Sequence, residues 1–451
     1  MSGIIKLLVD IASSPAILVS LLALLGLVLQ GKPLPDTVKG VIKTFIGFLV
    51  LSAGAGVVVG SLAPFGGMFS HAFNVQGVVP NNEAIIAIAL KDYGTDTAII
   101  MFLGMVFNIA IARMTKFKHI FLTGHHTLYM ACMIAVILKV IGFESGLLFV
   151  IGGLILALVM SLSPYFLQPF MNKMTGGDSV GLGHFSGAGY WLSAQIGKLF
   201  NPKGEKVTST EDINFPKGLA FLRDSTVSIS ITMMVIYIIV AIAAGPEWVK
   251  ENFSGGSNSM IFAITQGGQF AAGVYIILSG VRLILAEIVP AFKGISEKLV
   301  PNAIPALDCP IVYPYAPNAV LIGFFSSFVG GIVSMIVMAM LGTAVILPGV
   351  VPHFFCGATA GMFGNSTGGL KGAIAGALAQ GVAISFLPMF MMPLLGNLGQ
   401  AGSTFSDADF TIVGILFGNL GLSMGQMGVI AGVAVILGAM FVATFMNKKA
   451  A

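Results

Sequence analysis

The shortage of charged residues is the feature that most limits how this chain can fold. Asp, Glu, Lys and Arg make up only 9% of its 451 residues, whereas 56% of the residues are hydrophobic. A water-soluble domain carries about 25% charged residues, so this chain cannot cover a water-facing surface of its size. Its 58 glycines suit membrane helices, because small residues let helix backbones approach closely. We therefore predict an all-α polytopic membrane protein.

Apolar stretches of spanning length recur along the whole chain. A spanning helix needs about 20 mostly apolar residues. Stretches that meet this need lie at 14–30, 41–62, 97–112, 126–143, 146–168, 226–245, 260–281, 317–341, 370–395 and 425–446. Shorter apolar pieces, interrupted by Gly and Pro, lie at 84–90, 184–200, 303–315, 344–363 and 410–424. Such pieces are typical of re-entrant hairpins and broken helices, so we predict ten to eleven crossings with hairpins among them.

Charge asymmetry predicts the orientation in the membrane. Basic clusters occur at Lys32/Lys39/Lys43, Arg113/Lys116/Lys118, Lys198 to Arg223, Lys293/Lys298 and Lys448/Lys449. Acidic residues dominate the intervening loops at Glu83/Asp92/Asp96, Glu247/Glu251 and Asp407/Asp409. Because cytoplasmic loops carry an excess of Lys and Arg, we expect the basic clusters and the C-terminus to be cytoplasmic and the acidic loops external.

One long polar stretch, 201–224, predicts a cytoplasmic linker between two halves of a single membrane domain covering 1–451. No part of the sequence predicts a soluble ATPase or kinase domain, and the small net charge of +4 gives no indication of nucleic-acid binding. Cys132, Cys309 and Cys356 lack CxxC spacing, so we expect inert buried thiols. The similar stretches 46–57 and 322–333 hint at an internal duplication, although chance similarity of Gly-rich helices explains them equally well.

Asp308 is the strongest candidate for a polar group that meets a solute. It lies among Pro301, Pro305, Pro310 and Pro314, so its backbone cannot be a regular helix. Irregular backbone at membrane depth must line a cavity or be buried in protein. A carboxylate there can accept hydrogen bonds from solute hydroxyls; the alternative is a carboxylate in a surface loop.

Histidines provide the second group of candidates. His125 and His126 precede an apolar helix, and His184 follows a Gly-rich turn. They could donate to a solute or change charge near neutral pH, or simply lie at helix starts near the headgroups. Their spacing does not predict a metal site, and we expect no cofactor. Arg282 and Glu287 fit a charge network at a helix end.

Several segments together resemble a known family. They are IKTFIGFLVLSAGAG (42–56), FLTGHH (121–126), GLGH (181–184), GVRLILAEIVPAFKGISEKLVPNAIPALDCP (280–310), APNAVLIGF (316–324) and ILPGVVPHFF (346–355). In this order they resemble the ascorbate-type membrane subunit, IIC, of the bacterial phosphotransferase system.

The resemblance implies a homodimeric permease in the bacterial cytoplasmic membrane, with about eleven helices divided into scaffold and core parts that move like an elevator. It also implies that separate IIB and IIA subunits supply the phosphoryl group, so this chain is a transport subunit rather than an enzyme. The resemblance places the substrate pocket at a Gly-rich helix break, here Gly54–Ala55, and at His125, His184 and Asp308.

Other positions depart from the family pattern. The resemblance leads us to expect glutamine where this chain has Ser52, Tyr129 and Phe185. Asn82 and Glu83 fall where an external hairpin should approach the pocket, and Glu83 occupies a position expected to be uncharged. The leading hypothesis is ascorbate uptake. The alternatives are the same system for another sugar, sugar acid or polyol, or an ion-coupled secondary transporter.

Overall fold

Helices dominate the computed structural model, which describes residues 15–74, 77–178, 180–213, 218, 221 and 224–448. Within these ranges the α-helices are α1 Pro15–Leu29, α2 Leu34–Phe73, α3 Asn82–Met114, α4 Gly124–Ile141, α5 Ser145–Thr175, α6 Gly187–Phe200, α7 Ser225–Ala244, α8 Pro246–Asn252, α9 Ser259–Leu299, α10 Pro317–Met340, α11 Val350–Pro352, α12 Ala358–Met391 and α13 Ala408–Lys448. The predicted all-α membrane class is confirmed.

The number of spanning helices differs from the prediction. In the described part of the chain, eight helices are long and apolar enough to cross a membrane, or nine if α7 and α8 form one span bent by 99°. The predicted stretches 84–90 and 97–112 form the single helix α3, whereas 410–424 and 425–446 are separated within α13 by a break at Gly425, where φ is 64° and ψ is −158°.

Six short strands interrupt the helices in the described ranges. They are β1 Gly77–Pro80, β2 His119–Phe121, β3 Gly181–Leu182, β4 Ile304–Leu307, β5 Val345–Ile346 and β6 Ser403–Thr404. They form two parallel three-stranded sheets, in the orders β5–β1–β6 and β2–β4–β3. The predicted re-entrant segments therefore consist of a strand followed by a helix, and the sheets satisfy the backbone groups of these breaks.

The pairing of the strands relates the two halves of the chain. Exchanging β1 with β4, β2 with β5 and β3 with β6 converts one sheet into the other. The registers agree as well: Gly77 pairs with Val345 and Val79 with Ser403, while Ile304 pairs with His119 and Ala306 with Gly181. The halves around the linker are therefore structural repeats. Segments 46–57 and 322–333 lie in α2 and α10, which this exchange does not match.

The helices that precede the two central strands, α2 and α9, pack closely through glycine. A Cβ on Gly47 would lie 2.7 Å from the Gly280 carbonyl oxygen, and one on Gly54 would lie 2.7 Å from the Ile277 nitrogen. The helices are antiparallel, because residues later in α2 contact residues earlier in α9. Side chains at these positions would separate the backbones, so the contact requires glycine.

The described part of the polar linker also packs against the membrane domain. The Glu211 carboxylate accepts hydrogen bonds from the N–H groups of Asn318 at 2.9 Å and Ala319 at 3.1 Å, at the start of α10. These bonds satisfy N–H groups that have no partner within the helix. The linker therefore caps α10.

Replacing Gly54 by valine should destabilise the protein, because the new side chain would collide with the backbone of α9 rather than with a movable side chain. Overpacking of this kind costs about 1–3 kcal/mol of unfolding free energy. Thermal unfolding of purified protein in detergent should show a lower midpoint for Gly54→Val than for the wild type.

Gly56 provides the matched control on the same helix, since a Cβ there would meet no heavy atom within 4 Å. Gly56→Val should therefore leave the midpoint nearly unchanged. Equal behaviour of the two variants would contradict the importance of the α2–α9 contact.

Candidate functional site

A cavity of about 620 Å³ lies where the six strands end. Each strand leads into a segment that lines this cavity. The lining segments are Asn82–Glu83 after β1, Leu122–His126 after β2, His184 after β3, Asp308 and Pro310 after β4, Val351–Pro352 after β5, and Asp407 after β6. Two sheets thus bring polar groups from both halves of the chain to one place.

His125 and Asp308 face each other in this cavity. His125 Nε2 lies 3.5 Å from Asp308 Oδ2, and both side chains remain partly exposed. Asp308 Oδ1 accepts a 2.7 Å hydrogen bond from the Cys309 N–H and so caps the short 3₁₀ turn that follows β4. One carboxylate oxygen therefore fixes the local backbone while the other remains available to a solute or to His125.

A second polar network is buried beside this pair. Asp407 Oδ1 accepts hydrogen bonds from Asn82 Nδ2 at 2.8 Å and from the Ser406 hydroxyl at 2.7 Å. Asp407 Oδ2 lies 4.0 Å from His184 Nδ1, which hydrogen-bonds the Tyr190 hydroxyl at 2.7 Å. The bonds orient these side chains, since buried polar groups need partners.

Asp407 and Asp409 were expected in an external loop, and this prediction is wrong. They are 3% and 6% exposed at the start of α13. Asp409 accepts hydrogen bonds from the Ser163 hydroxyl and from the Gly187 and Ala188 N–H groups, so it caps α6. Both carboxylates are held in the interior by hydrogen bonds, and Asp407 also lines the cavity.

Three polar atoms in the cavity wall have no hydrogen-bond partner in the structure. They are Glu83 Oε2, Thr123 Oγ1 and the Tyr129 hydroxyl, and their residues are at most 6% exposed. In addition, Thr123 does not cap α4 through its side chain, so the first N–H groups of that helix remain available. These three atoms are themselves buried, so a solute in the cavity would reach them only after the side chains turn toward it.

Six of the ten predicted site residues line the cavity together: Asn82, Glu83, His125, Tyr129, His184 and Asp308. Phe185 is buried behind the wall, where its ring stacks on Phe121 with the centroids 4.3 Å apart. Ser52 is exposed on α2 and does not line the cavity.

The predicted helix break at Gly54–Ala55 is absent, because α2 continues through both positions. Gly54 packs against α9, as described above, and the side chain of Ala55 lies outside what the structure describes. Glycine in a membrane helix serves either a break or a close contact, and the sequence alone does not separate the two uses.

Helix α9 forms a further wall of the cavity, through Leu278, Arg282 and Ala286. Arg282 was assigned to a helix-end charge network, but it lines the cavity; the side chain of Glu287 lies outside the described residues. The cavity thus lies between α9 and the strand-and-helix segments of both repeats. A sequence search for cations near the Asp308 motif could have found Arg282.

A cluster of possible metal ligands also occurs here, although the sequence spacing did not predict one. Ligand atoms of His126, His184 and Asp407 lie within 4.8 Å of one another. Hydrogen bonds already engage His184 Nδ1 and Asp407 Oδ1, which favours the polar network as their role. The thiols of Cys132, Cys309 and Cys356 are free and buried, as predicted, and Cys356 contributes to the cavity wall.

Comparison with known proteins agrees with this architecture. Residues 10–409 match the family described as "EIIC-GAT: PTS system sugar-specific permease component". The chain is also 27% identical over 465 residues to the "Ascorbate-specific PTS system EIIC component" of Mycoplasma pneumoniae, an alignment that covers 90% of this chain and 69% of the relative. Because the family match covers most of the chain, the protein belongs to the sugar-specific membrane permeases of the phosphotransferase system.

Proposed function

We propose that this permease takes up L-ascorbate, which a separate IIB subunit, recharged by IIA, phosphorylates on the cytoplasmic side. The relative from Mycoplasma pneumoniae carries the ascorbate name, and the family supplies the general partnership with IIB and IIA. We also propose a homodimer in the bacterial cytoplasmic membrane. The basic clusters support a cytoplasmic C-terminus.

The unpartnered polar atoms of the cavity carry this proposal. Glu83 Oε2, Thr123 Oγ1 and the Tyr129 hydroxyl would each gain a hydrogen bond when their side chains turn toward a hydroxylated solute. A buried polar atom without a partner costs about 1–3 kcal/mol, so a solute that satisfies several of them gains affinity and specificity. Asp308 Oδ2 and the histidines extend the same polar surface.

The cavity also offers groups that suit an anion, and ascorbate is an anion at neutral pH. Arg282 places a guanidinium in the α9 wall, and the uncapped start of α4 presents N–H groups with the positive end of the helix dipole. We assign Arg282 and the Thr123–His125 turn to the charged end of the substrate, and Asp308 to its hydroxyl groups.

A neutral sugar or polyol is the second candidate substrate, and the carboxylates favour it. Glu83, Asp308 and Asp407 all line the cavity, and each would repel an anion when ionised. The same system of IIB and IIA would serve this substrate. Repulsion by these carboxylates and attraction by Arg282 together therefore determine whether the cavity prefers an anionic or a neutral solute.

The position of α9 supports a two-part transport motion. One wall of the cavity belongs to α9, which packs on α2, and the other walls belong to the re-entrant segments of both repeats. We propose that α2, α7 and α9 form the scaffold and that the re-entrant segments carry the substrate past it. Internal repeats with a midplane site are common in transporters that alternate access in this way.

Replacing Asp308 by asparagine should weaken substrate binding, because one acceptor oxygen becomes a donor and the charge is lost. A hydrogen bond to a charged group contributes about 1.5–3 kcal/mol, which corresponds to roughly a tenfold to hundredfold increase in Kd. Isothermal titration of the purified variant with ascorbate would measure this change.

Asp224→Asn is the control for this substitution, since Asp224 also caps a helix, accepting a 3.0 Å hydrogen bond from the Val227 N–H, but lies outside the cavity wall. Its binding should equal that of the wild type. Unchanged binding in Asp308→Asn would exclude the residue from the site.

Removing the charge of Glu83 should improve binding of ascorbate and hardly affect a neutral polyol. Two like charges about 5 Å apart repel by about 3–4 kcal/mol at an effective dielectric of about 20, and solvent in the cavity reduces this figure. We expect Glu83→Gln to lower the Kd for ascorbate at least a few-fold in paired isotherms at low and high salt.

Arg282→Gln provides the opposite case, because it removes the cation from the same cavity. It should raise the Kd for ascorbate and leave a neutral polyol unaffected. If both variants change the binding of the polyol more than that of ascorbate, the neutral solute is the substrate.

Membrane vesicles distinguish group translocation from ion-coupled transport. Vesicles that hold only this chain should equilibrate ascorbate without concentrating it, since the chain supplies no phosphoryl group. Enclosed phosphorylated IIB should produce accumulation as ascorbate phosphate. Accumulation driven by a proton or sodium gradient alone would instead assign the chain to the secondary transporters.

A further inference from the structure

We propose that the cleft between α5 and α6 binds an anionic phospholipid, with its head group on a lysine cluster and one acyl chain in an adjoining apolar groove. This site shares no lining residue with the substrate cavity and is independent of the proposed substrate. It would couple the permease to the composition of the surrounding leaflet.

The head-group end is a wide cavity of about 980 Å³. Its charged lining residues are Lys173, Lys198 and Lys203, and no acidic residue lines it. Within the described part of the chain, none of the three ammonium groups forms a salt bridge. Lys198 Nζ instead lies 5.0 Å from the centre of the Phe170 ring. Three uncompensated cations around one cavity favour a phosphate-bearing ligand.

The amide groups of the same cavity suit a polar head. Asn172, Gln195 and Asn201 contribute to its lining beside the lysines. Such side chains can donate hydrogen bonds to phosphate or glycerol oxygens. Basic pockets between membrane helices on the cytoplasmic side are typical sites for anionic head groups.

The acyl-chain end is a narrower groove of about 470 Å³ formed by α5, α6 and α13. It shares Phe166 and Trp191 with the lysine cavity, so the two spaces adjoin. Both shared side chains are strongly exposed, at 56% and 45%. Aromatic side chains of this kind concentrate at the boundary between head groups and hydrocarbon.

The length of the groove matches one leaflet. Leu158 lies at its inner end and Lys173 in the head-group cavity, both on α5. Fifteen helical residues rise by about 22 Å, which is half of a bilayer of about 40–45 Å that includes both head-group regions. The apolar part thus begins near the bilayer centre and the lysines lie at its surface.

One carboxylate lines the groove, but it does not oppose this assignment. Both oxygens of Asp409 are engaged by the Ser163 hydroxyl and by the first N–H groups of α6. The remaining lining is almost entirely aliphatic and aromatic, including Leu162, Val413 and Ile436. A free phosphate or a protein partner would leave this groove unused, whereas a phospholipid fills both parts.

Native mass spectrometry of the detergent-purified chain, titrated with phosphatidylglycerol or phosphatidylcholine, tests the proposal. We expect preferential retention of phosphatidylglycerol. The double variant Lys173→Gln/Lys198→Gln should lose about 30-fold in affinity for it, which corresponds to about 2 kcal/mol at about 1 kcal/mol per lysine. Lys32→Gln/Lys39→Gln, which removes two exposed lysines elsewhere, should retain wild-type affinity.

The groove is tested separately by Ala188→Phe, since Ala188 is exposed within it. This variant should lose affinity for long-chain phosphatidylglycerol and keep affinity for a dihexanoyl form, which needs only the head-group cavity. Unchanged long-chain binding would remove the groove from the site.

Three results would overturn the proposal. One is equal retention of both lipids by the wild type, and another is equal lipid affinity in the wild type and the Lys173/Lys198 variant. The third is inorganic phosphate or purified IIB competing fully with the lipid while the Ala188 variant behaves normally, which would assign the lysines to a phosphate ion or to protein docking.

Discussion

The fold depends on satisfying backbone hydrogen bonds at membrane depth. A chain that breaks its helices inside a bilayer exposes N–H and C=O groups that hydrocarbon cannot solvate. In the described residues, six of the breaks are strands that pair in two small parallel sheets, β5–β1–β6 and β2–β4–β3. Each strand then ends beside the substrate cavity and passes directly into a turn or helix start. The same hydrogen bonds that permit the breaks therefore also determine which side chains meet there.

Buried polar groups have two different roles in this protein. Asp409 and one oxygen of Asp407 accept hydrogen bonds from other parts of the fold, including groups at helix starts. Glu83, Thr123 and Tyr129 instead keep one unpartnered atom in the cavity wall. The first group stabilises the re-entrant segments and the second leaves binding capacity for a solute. This division explains how so few charged residues supply both a stable interior and a polar site.

Composition and motif resemblance predicted the membrane class and most of the polar residues of the cavity. Asp308, His125 and His184 were recognisable because prolines or glycines surround polar groups in apolar sequence. Asp407 was not recognisable, since its partner Asn82 is 325 positions away and SDAD resembles a loop. The strands were missed as well, because segments of two to four residues carry no measurable periodicity. Gly54 was misassigned because it must be glycine to let another helix, α9, pack closely, and the local sequence does not show that contact.

The wide separation of the strand partners has a consequence for biosynthesis. β1 is made early, yet its two neighbours contain Val345 and Ser403. Until β6 emerges from the ribosome, the first sheet cannot close, although most of the membrane helices have already been synthesised. The unpaired strand must meanwhile be shielded by lipid head groups, water or an insertion factor, because bare backbone is costly in hydrocarbon. The centre of the molecule is thus the last part to assemble, and a chain truncated within α12 would insert into the membrane without ever acquiring its substrate cavity.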